Sequence, residues 1–236
     1  MGTSKGYLPP NGHLWSDTKR AVSGIKRNGL SSDSVGKALS KFSKATGGGY
    51  RTAGQSSVGT SGGKALNFAG LVNAGGLDYA LGEIGLSHLK GRDAESILDG
   101  LIEYFCEGSN DLQVEIADGA LKELMEELFS EVTSNEQLEQ VYKDMEPNFF
   151  IKEYLIKYVE QYFFANFAEK INSLCDGLNQ TLAMQERIKE YIRLEIEESY
   201  QNDNLEDMDW RGNQGQRYIY SKCNEVWSIF EMWGEN

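Results

Sequence analysis

One pattern constrains this chain more than any other. Ile151, Leu155, Val159, Phe163, Phe167, Ile171 and Leu174 follow one another at intervals of three or four residues. That spacing places all seven on one face of an α-helix and does not fit the two-residue period of a strand. Pro147 suits the first helical position, because its fixed φ is helical and its missing N–H would have no intrahelical acceptor there. Tyr154, Tyr158 and Tyr162 widen the stripe, so the helix is expected to touch two neighbours rather than one. No run of alternating residues reads as a strand, and the expected class is all-α, a multi-helix, bundle-like domain.

The same reasoning finds the other helices. Asp93 is a good N-cap for a helix carrying Ile97, Leu98, Leu101, Ile102 and Phe105. Asn110 is placed to cap the next, with Leu112, Ile116, Leu121, Leu124 and Leu128 on one face and Glu123, Glu126 and Glu127 on the other. Ser134 with Gln137 forms a capping-box pattern. After Gly177, Leu182, Ile188, Tyr191, Ile192 and Ile196 predict another helix, then an acidic loop over 201–215 and a last helix over 216–233.

Upstream, a helix is expected from Thr60 or Ser61 through Leu66, Phe68, Leu71 and Val72, followed by a short one with Leu77, Leu81 and Ile84. Before these, Ser16 or Asp17 and Ser32 or Asp33 are cap candidates for two short, weak helices, since Gly24 and Gly36 sit inside them. The second runs through Val35, Leu39 and Phe42 to a stop at Gly47. Pro9-Pro10 breaks any pattern in the first residues. Three segments result: a flexible N-terminal tail over 1–14, a basic Gly/Ser-rich arm with short helices over 15–58, and an acidic helical domain over 59–236.

The net charge of −13 hides a division. The first 64 residues hold ten Lys and Arg against two Asp and Glu, while the remainder holds 13 against 34. A basic arm ahead of an acidic body can steer partners or fold back on its own body. Lys19, Arg20, Lys26, Arg27, Lys37, Lys41 and Lys44 on that arm are the candidates for a nucleic-acid-binding adaptor. Cys106, Cys175 and Cys223 are odd in number and far apart, which fits neither a disulfide framework nor a zinc site. No stretch reaches the ~20 apolar residues that span a bilayer, and a cytoplasmic location is expected by default.

Catalytic motifs fail on inspection. The stretch from Val58 to Ala65 resembles a phosphate loop, but GxxxxGK[ST] needs Gly at position 58 and Ser or Thr at position 65. It reads instead as a helix N-terminus with a flexible lead-in. His13 and His88 have no metal-ligand partners at useful spacing, and His88, between Leu86 and Leu89, reads as a half-buried structural histidine. Glu126-Glu127 and Glu195 to Glu198 read as solvated helix faces, and Trp210 and Trp233 are candidates for a partner surface.

The first residues have a chemistry of their own. Gly2 is small, so Met1 is expected to be removed, exposing a glycine α-amine. Such an amine titrates near pH 8, against about 10.4 for lysine, so a sizeable fraction is nucleophilic near neutrality. Gly6 stands where myristoylation needs Ser or Thr.

Met1-Gly2-Thr3-Ser4, the Gly- and Lys/Arg-rich segment to Lys64, and Leu89-Lys90-Gly91-Arg92-Asp93-Ala94-Glu95 with the acidic helices that follow resemble the QatB family, the small component of Qat anti-phage defence systems. The resemblance implies a non-enzymatic chain acting beside a QatA ATPase, a QueC-like enzyme (QatC) and a TatD-like nuclease (QatD). QueC-like enzymes activate a deazaguanine carboxylate with ATP and normally deliver ammonia to it; a related defence branch uses a protein N-terminus as the amine. By that likeness Gly2 is the modification acceptor, and Gly2, Thr3 and Ser4 bind in the partner's active site. No cofactor is expected on this chain, since ATP and zinc belong with the QueC-like partner. The tail holds only two prolines, Pro9 and Pro10, fewer than tails of the family.

Overall fold

A computed structural model describes residues 12–47, 53–106, 108–205 and 207–233. Among the described residues there are ten α-helices and no strand, so the chain is all-α. In order they are α1 (His13–Arg27), α2 (Ser32–Thr46), α3 (Ala53–Gly75), α4 (Leu77–Glu83), α5 (Ala94–Phe105), α6 (Leu112–Leu128), α7 (Asn135–Lys143), α8 (Pro147–Leu174), α9 (Leu178–Ser199) and α10 (Asn213–Met232). They form two compact units. One contains α1, α2, Val159–Tyr200 and the chain from Asn224 onward; the other contains α3 to α7, α8 as far as Tyr158, and Gln201–Cys223.

The unit holding α1 and α2 is built around Phe42. Its ring centroid lies 6.0 Å from that of Trp15, 5.3 Å from Tyr162, 5.4 Å from Phe163, 5.6 Å from Phe167 and 5.8 Å from Trp227. All five contacts are edge-to-face, the geometry that sets a ring's positive edge against a negative face. Val22 and Ile25 of α1 and Val35, Ala38 and Leu39 of α2 are fully buried in the same unit. Thus the two helices that local sequence marks as weak are each fifteen residues long and packed. Gly36 explains part of the discrepancy: a Cβ there would lie 2.4 Å from the Trp233 ring and 2.4 Å from the Tyr191 hydroxyl. The residue that weakens α2 in isolation is the one that lets it approach its neighbours.

The second unit shows the same device on a larger scale. The sequence suggests a helix from Thr60, yet α3 begins at Ala53 and runs through Val58 to Ala65 as regular helix. The phosphate-loop lookalike is therefore the interior of a helix, not a helix N-terminus. Its glycines face α10: a Cβ at Gly59 would lie 2.7 Å from the Gln216 carbonyl oxygen, at Gly62 3.1 Å from Ile219 Cδ1, and at Gly63 3.0 Å from Gln216 Cγ. Three glycines at i, i+3 and i+4 make one flat face, met by backbone at Gly59 and by side chains at Gly62 and Gly63. Phe68 of α3 also packs on Tyr142 at 4.8 Å and Phe105 at 5.9 Å.

Of the predicted stripe on α8, Ile151 to Ile171 are fully buried, and only Leu174 at the helix end is half-buried. Pro147 is the first helical residue. Asp93 caps α5 by accepting from the Ser96 N–H at 2.9 Å. Ser134 caps α7 through the Gln137 N–H, while Gln137 Oε1 reaches back to the Thr133 N–H rather than that of Ser134. Three details differ. The cap of α6 is Asp111, not Asn110, because its carboxylate reaches the Gln113 N–H at 2.9 Å. Leu182 of α9 is 47% exposed, and Met184 is buried instead. Glu127 is no simple solvated residue: with Glu123 it pairs to Lys157, whose side chain is 8% exposed. Burial opposes the charge on Lys157, but the two carboxylates prevail and hold it above the ordinary lysine range.

The loop ahead of α10 is tied down by Asp203. It accepts from Lys222 Nζ at 2.8 Å and from the Tyr218 hydroxyl at 2.8 Å, which together hold its carboxyl below the usual range. Leu205 is buried beneath the same loop.

Candidate functional site

Gly2, Thr3 and Ser4 lie outside the described residues. The first described residue is Gly12, whose carbonyl accepts from the Ser16 N–H at 2.9 Å; the cap of α1 is thus Gly12 and not Ser16 or Asp17.

The hairpin itself follows from local rules. α1 ends at Arg27, and the turn closes when the Leu30 N–H donates to the Ile25 carbonyl at 3.0 Å, with Gly29 left-handed at φ 66. Ser31 caps α2, and Gly47, also left-handed at φ 97, ends it. The buried Thr18 hydroxyl lies 2.9 Å from the carbonyls of both Leu14 and Lys41, so α1 is registered against α2.

With their apolar faces turned inward, both helices direct cations outward. Lys37, Lys41 and Lys44 recur at i, i+4 and i+7 on α2, and Lys19, Arg20, Lys26 and Arg27 lie on α1. Arg20, Arg27, Lys37 and Lys41 line one cavity of about 340 Å³ between the helices. Gly24 forms part of its wall: a Cβ there would meet nothing nearer than Asn28 Nδ2 at 3.8 Å. A second cavity of about 450 Å³ adjoins it through Arg20 and Arg27 and adds Lys19 and Lys170. Asp17 also borders the first cavity and pairs with Arg20. Arg27, Lys37 and Lys41 have no ion-pair partner among the described residues. Lys26 is committed elsewhere, donating to the Leu174 carbonyl at 2.6 Å and to Asp176 at 2.7 Å. Its hydrogen bond holds the Asp176 carboxyl below its ordinary range.

The sequence lists these cations but does not show which of them converge, nor that Gly24 leaves the groove open. Helical spacing within α2 gives the Lys37–Lys41 stripe; the meeting with Arg20 and Arg27 depends on the hairpin register.

A second cluster of reactive side-chain types lies around Asp118 of α6. Asp118 Oδ2 accepts from the Gly108 N–H at 3.0 Å, Tyr154 donates to the Ala117 carbonyl at 3.0 Å, and Lys64 donates to the Tyr104 and Phe105 carbonyls at the end of α5. Burial, reinforced by the Asp118 charge, pushes the Cys106 thiol up to about 12. Burial likewise raises the Tyr154 phenol well above its ordinary value. The hydrogen bonds of this cluster satisfy a helix end and buried carbonyls, and burial disfavours the ionised, nucleophilic forms of Cys106 and Tyr154. Alkylation at pH 8 tests this. An ordinary thiol is about a quarter thiolate there, a thiol near 12 on the order of 1 in 10,000. Cys106 in the folded chain is expected to react over ~100-fold more slowly than in denaturant, read by peptide mass analysis. Equal rates would contradict the assignment.

Among the described residues no group of three or more His, Cys, Asp or Glu could hold a metal ion, and no helix is long and apolar enough to cross a membrane. His88 is exposed on a single 3₁₀ turn (Ser87–Leu89), not half-buried, because that turn buries no residue. Trp210 and Trp233, candidates for a partner surface, pack within the chain against Gly215 and Gly36 respectively.

Neither a curated protein nor a solved structure matches the chain. A family model described as Qat anti-phage system associated protein QatB matches residues 48–230, from just after α2 to within α10. With most of its length matched, the chain belongs to the QatB family of Qat anti-phage systems.

Proposed function

We propose that this Qat defence component is a protein substrate: with Met1 removed, it presents the Gly2 α-amine to the QueC-like enzyme QatC for conjugation to a deazaguanine. Thr3 and Ser4 follow Gly2 into the partner's active site, where their small side chains suit a narrow passage. The observation that carries this reading is the chemistry of the first four residues, in a chain that belongs to a multi-component defence family. In the reaction, the deazaguanine carboxylate attacks the α-phosphorus of ATP and displaces pyrophosphate. The unprotonated Gly2 nitrogen then attacks the acyl carbon, AMP departs, and the nitrogen loses a proton to leave an amide. ATP and zinc are held by the partner, and this chain contributes only the amine. QatA and QatD act beside the pair.

Reach supports the reading. Ten residues separate Gly2 from His13, and a fully extended chain covers at most ~3.3–3.6 Å per residue. The amine can therefore enter a pocket up to about 35 Å from the start of α1.

Intact-mass measurement after co-expression with QatC tests it. The wild-type chain is expected to lack Met1 and to carry the deazaguanine adduct. Gly2→Leu, whose bulky residue blocks Met1 removal, is expected to carry none. An unchanged wild-type mass beside active QatC would sink the proposal.

A further inference from the structure

We infer that the groove between α1 and α2 docks the phosphate backbone of a nucleic acid without reading its bases. This surface is separate from Gly2 and does not depend on the fate of the N-terminus.

Four cations, Arg20, Arg27, Lys37 and Lys41, border a single open cavity, and Arg20 and Arg27 carry the positive strip into the adjoining one with Lys19 and Lys170. Arg27, Lys37 and Lys41 spend their charge on no carboxylate among the described residues. The acid that borders the cavity, Asp17, is paired to Arg20, and Asp176 is paired to Lys26. A row of cations along a groove suits a polyanion with charges at regular intervals, since each neutralised phosphate releases a condensed counterion.

The lining also indicates which polyanion. An acidic protein segment would need apolar anchors to bind stably, because a few central aromatic or aliphatic contacts supply most protein–protein affinity. The wall of the first cavity has no aromatic or branched aliphatic side chain, its uncharged residues being Ala21, Gly24, Asn28 and Ser34, and the adjoining cavity adds Leu174 as its one apolar residue. Base stacking is excluded for the same reason, which leaves backbone contacts and predicts indifference to sequence. The acidic excess elsewhere in the chain does not cancel the groove, since at physiological salt charges beyond about 8 Å are largely screened.

The test is fluorescence anisotropy of the full chain with two unrelated mixed-sequence single-stranded oligonucleotides over a salt series. Equal affinities for the two and a log–log salt slope of about −3, the value for four phosphates, are expected. Lys37→Glu with Lys41→Glu is expected to weaken binding at least tenfold at ~0.1 M salt and to halve the slope. Gly24→Leu fills the groove while keeping every cation, and should also weaken binding. It replaces a helical glycine with a stronger helix former, and unchanged circular dichroism is expected to show that α1 stays folded. Four results would overturn the inference: no binding at ~50 mM salt, affinity unchanged in both variants, over tenfold preference for one sequence, or polyglutamate bound as tightly as the oligonucleotides.

Discussion

Replacing Phe42 by alanine is expected to destabilise the unit that contains α1 and α2 by about 3–5 kcal/mol, the range for truncating a buried Phe. The side chain is fully buried, and its ring meets five others edge-on. Each such pair adds about 0.5–1.5 kcal/mol beyond area burial, so the upper end of the range applies. Trp15 and Trp227 lie against Phe42, and their fluorescence during denaturant unfolding reports on this region. The experiment also bears on what the basic N-terminal helices are. A loosely attached arm would lose under 1 kcal/mol on losing one aromatic side chain, and that result would contradict the packing described above.

The second large effect is a reversal of sign within one helix. Alanine in place of glycine gains about 1 kcal/mol of helix propensity at an unobstructed interior position. At Gly70 of α3 a Cβ has open space, so Gly70→Ala is expected to stabilise by about 0.5–1 kcal/mol. At Gly59, eleven residues earlier, the same Cβ lies 2.7 Å from the backbone carbonyl oxygen of Gln216. A backbone oxygen in the first turn of α10 cannot rotate aside as a side chain does. Overpacking there costs about 1–3 kcal/mol, and Gly59→Ala is expected to be net destabilising despite the gain in propensity. Gly59→Leu should exceed it. Thermal or urea unfolding of the variants decides the matter; two stabilised proteins would mean that α3 does not rest on α10 through its glycines.

Those glycines also mark where sequence reading reaches its limit. The helix over Pro147–Leu174 is legible because its stripe contrasts with its surroundings, and the caps at Asp93 and Ser134 because a side chain's reach is local. The start of α3 is not legible. Its first two turns hold Val58 as their one large apolar residue among glycine, serine, alanine and glutamine, so they carry no periodic contrast, and Gly59 packs against a neighbour distant in sequence. Gly36 misleads in the same way, since its low propensity is visible and its contact with Trp233 is not. Leu182 errs in the opposite direction: it has the right spacing for the apolar face of α9 but remains 47% exposed. For function, the cations were legible as a composition, while their convergence with Gly24 on one groove required the hairpin register. The acceptor proposal rests on Gly2, Thr3 and Ser4 as sequence, outside the described residues.

A basic hairpin of the kind seen here gives the proposed acceptor a defined base. Residues 1–11 lead into α1, whose apolar face is anchored through Val22 and Ile25 and whose cations remain outside. A nucleic acid in the α1–α2 groove would thus sit beside the helix that follows the proposed acceptor in sequence, without making either proposal depend on the other.

The most direct test of the central claim is top-down fragmentation of the chain purified after co-expression with QatC. The smallest N-terminal fragments containing Gly2 are expected to carry the full deazaguanine amide mass and to lose it when QatC is catalytically inactivated. Unmodified Gly2 fragments beside active QatC, or an adduct that maps to a lysine instead, would contradict it.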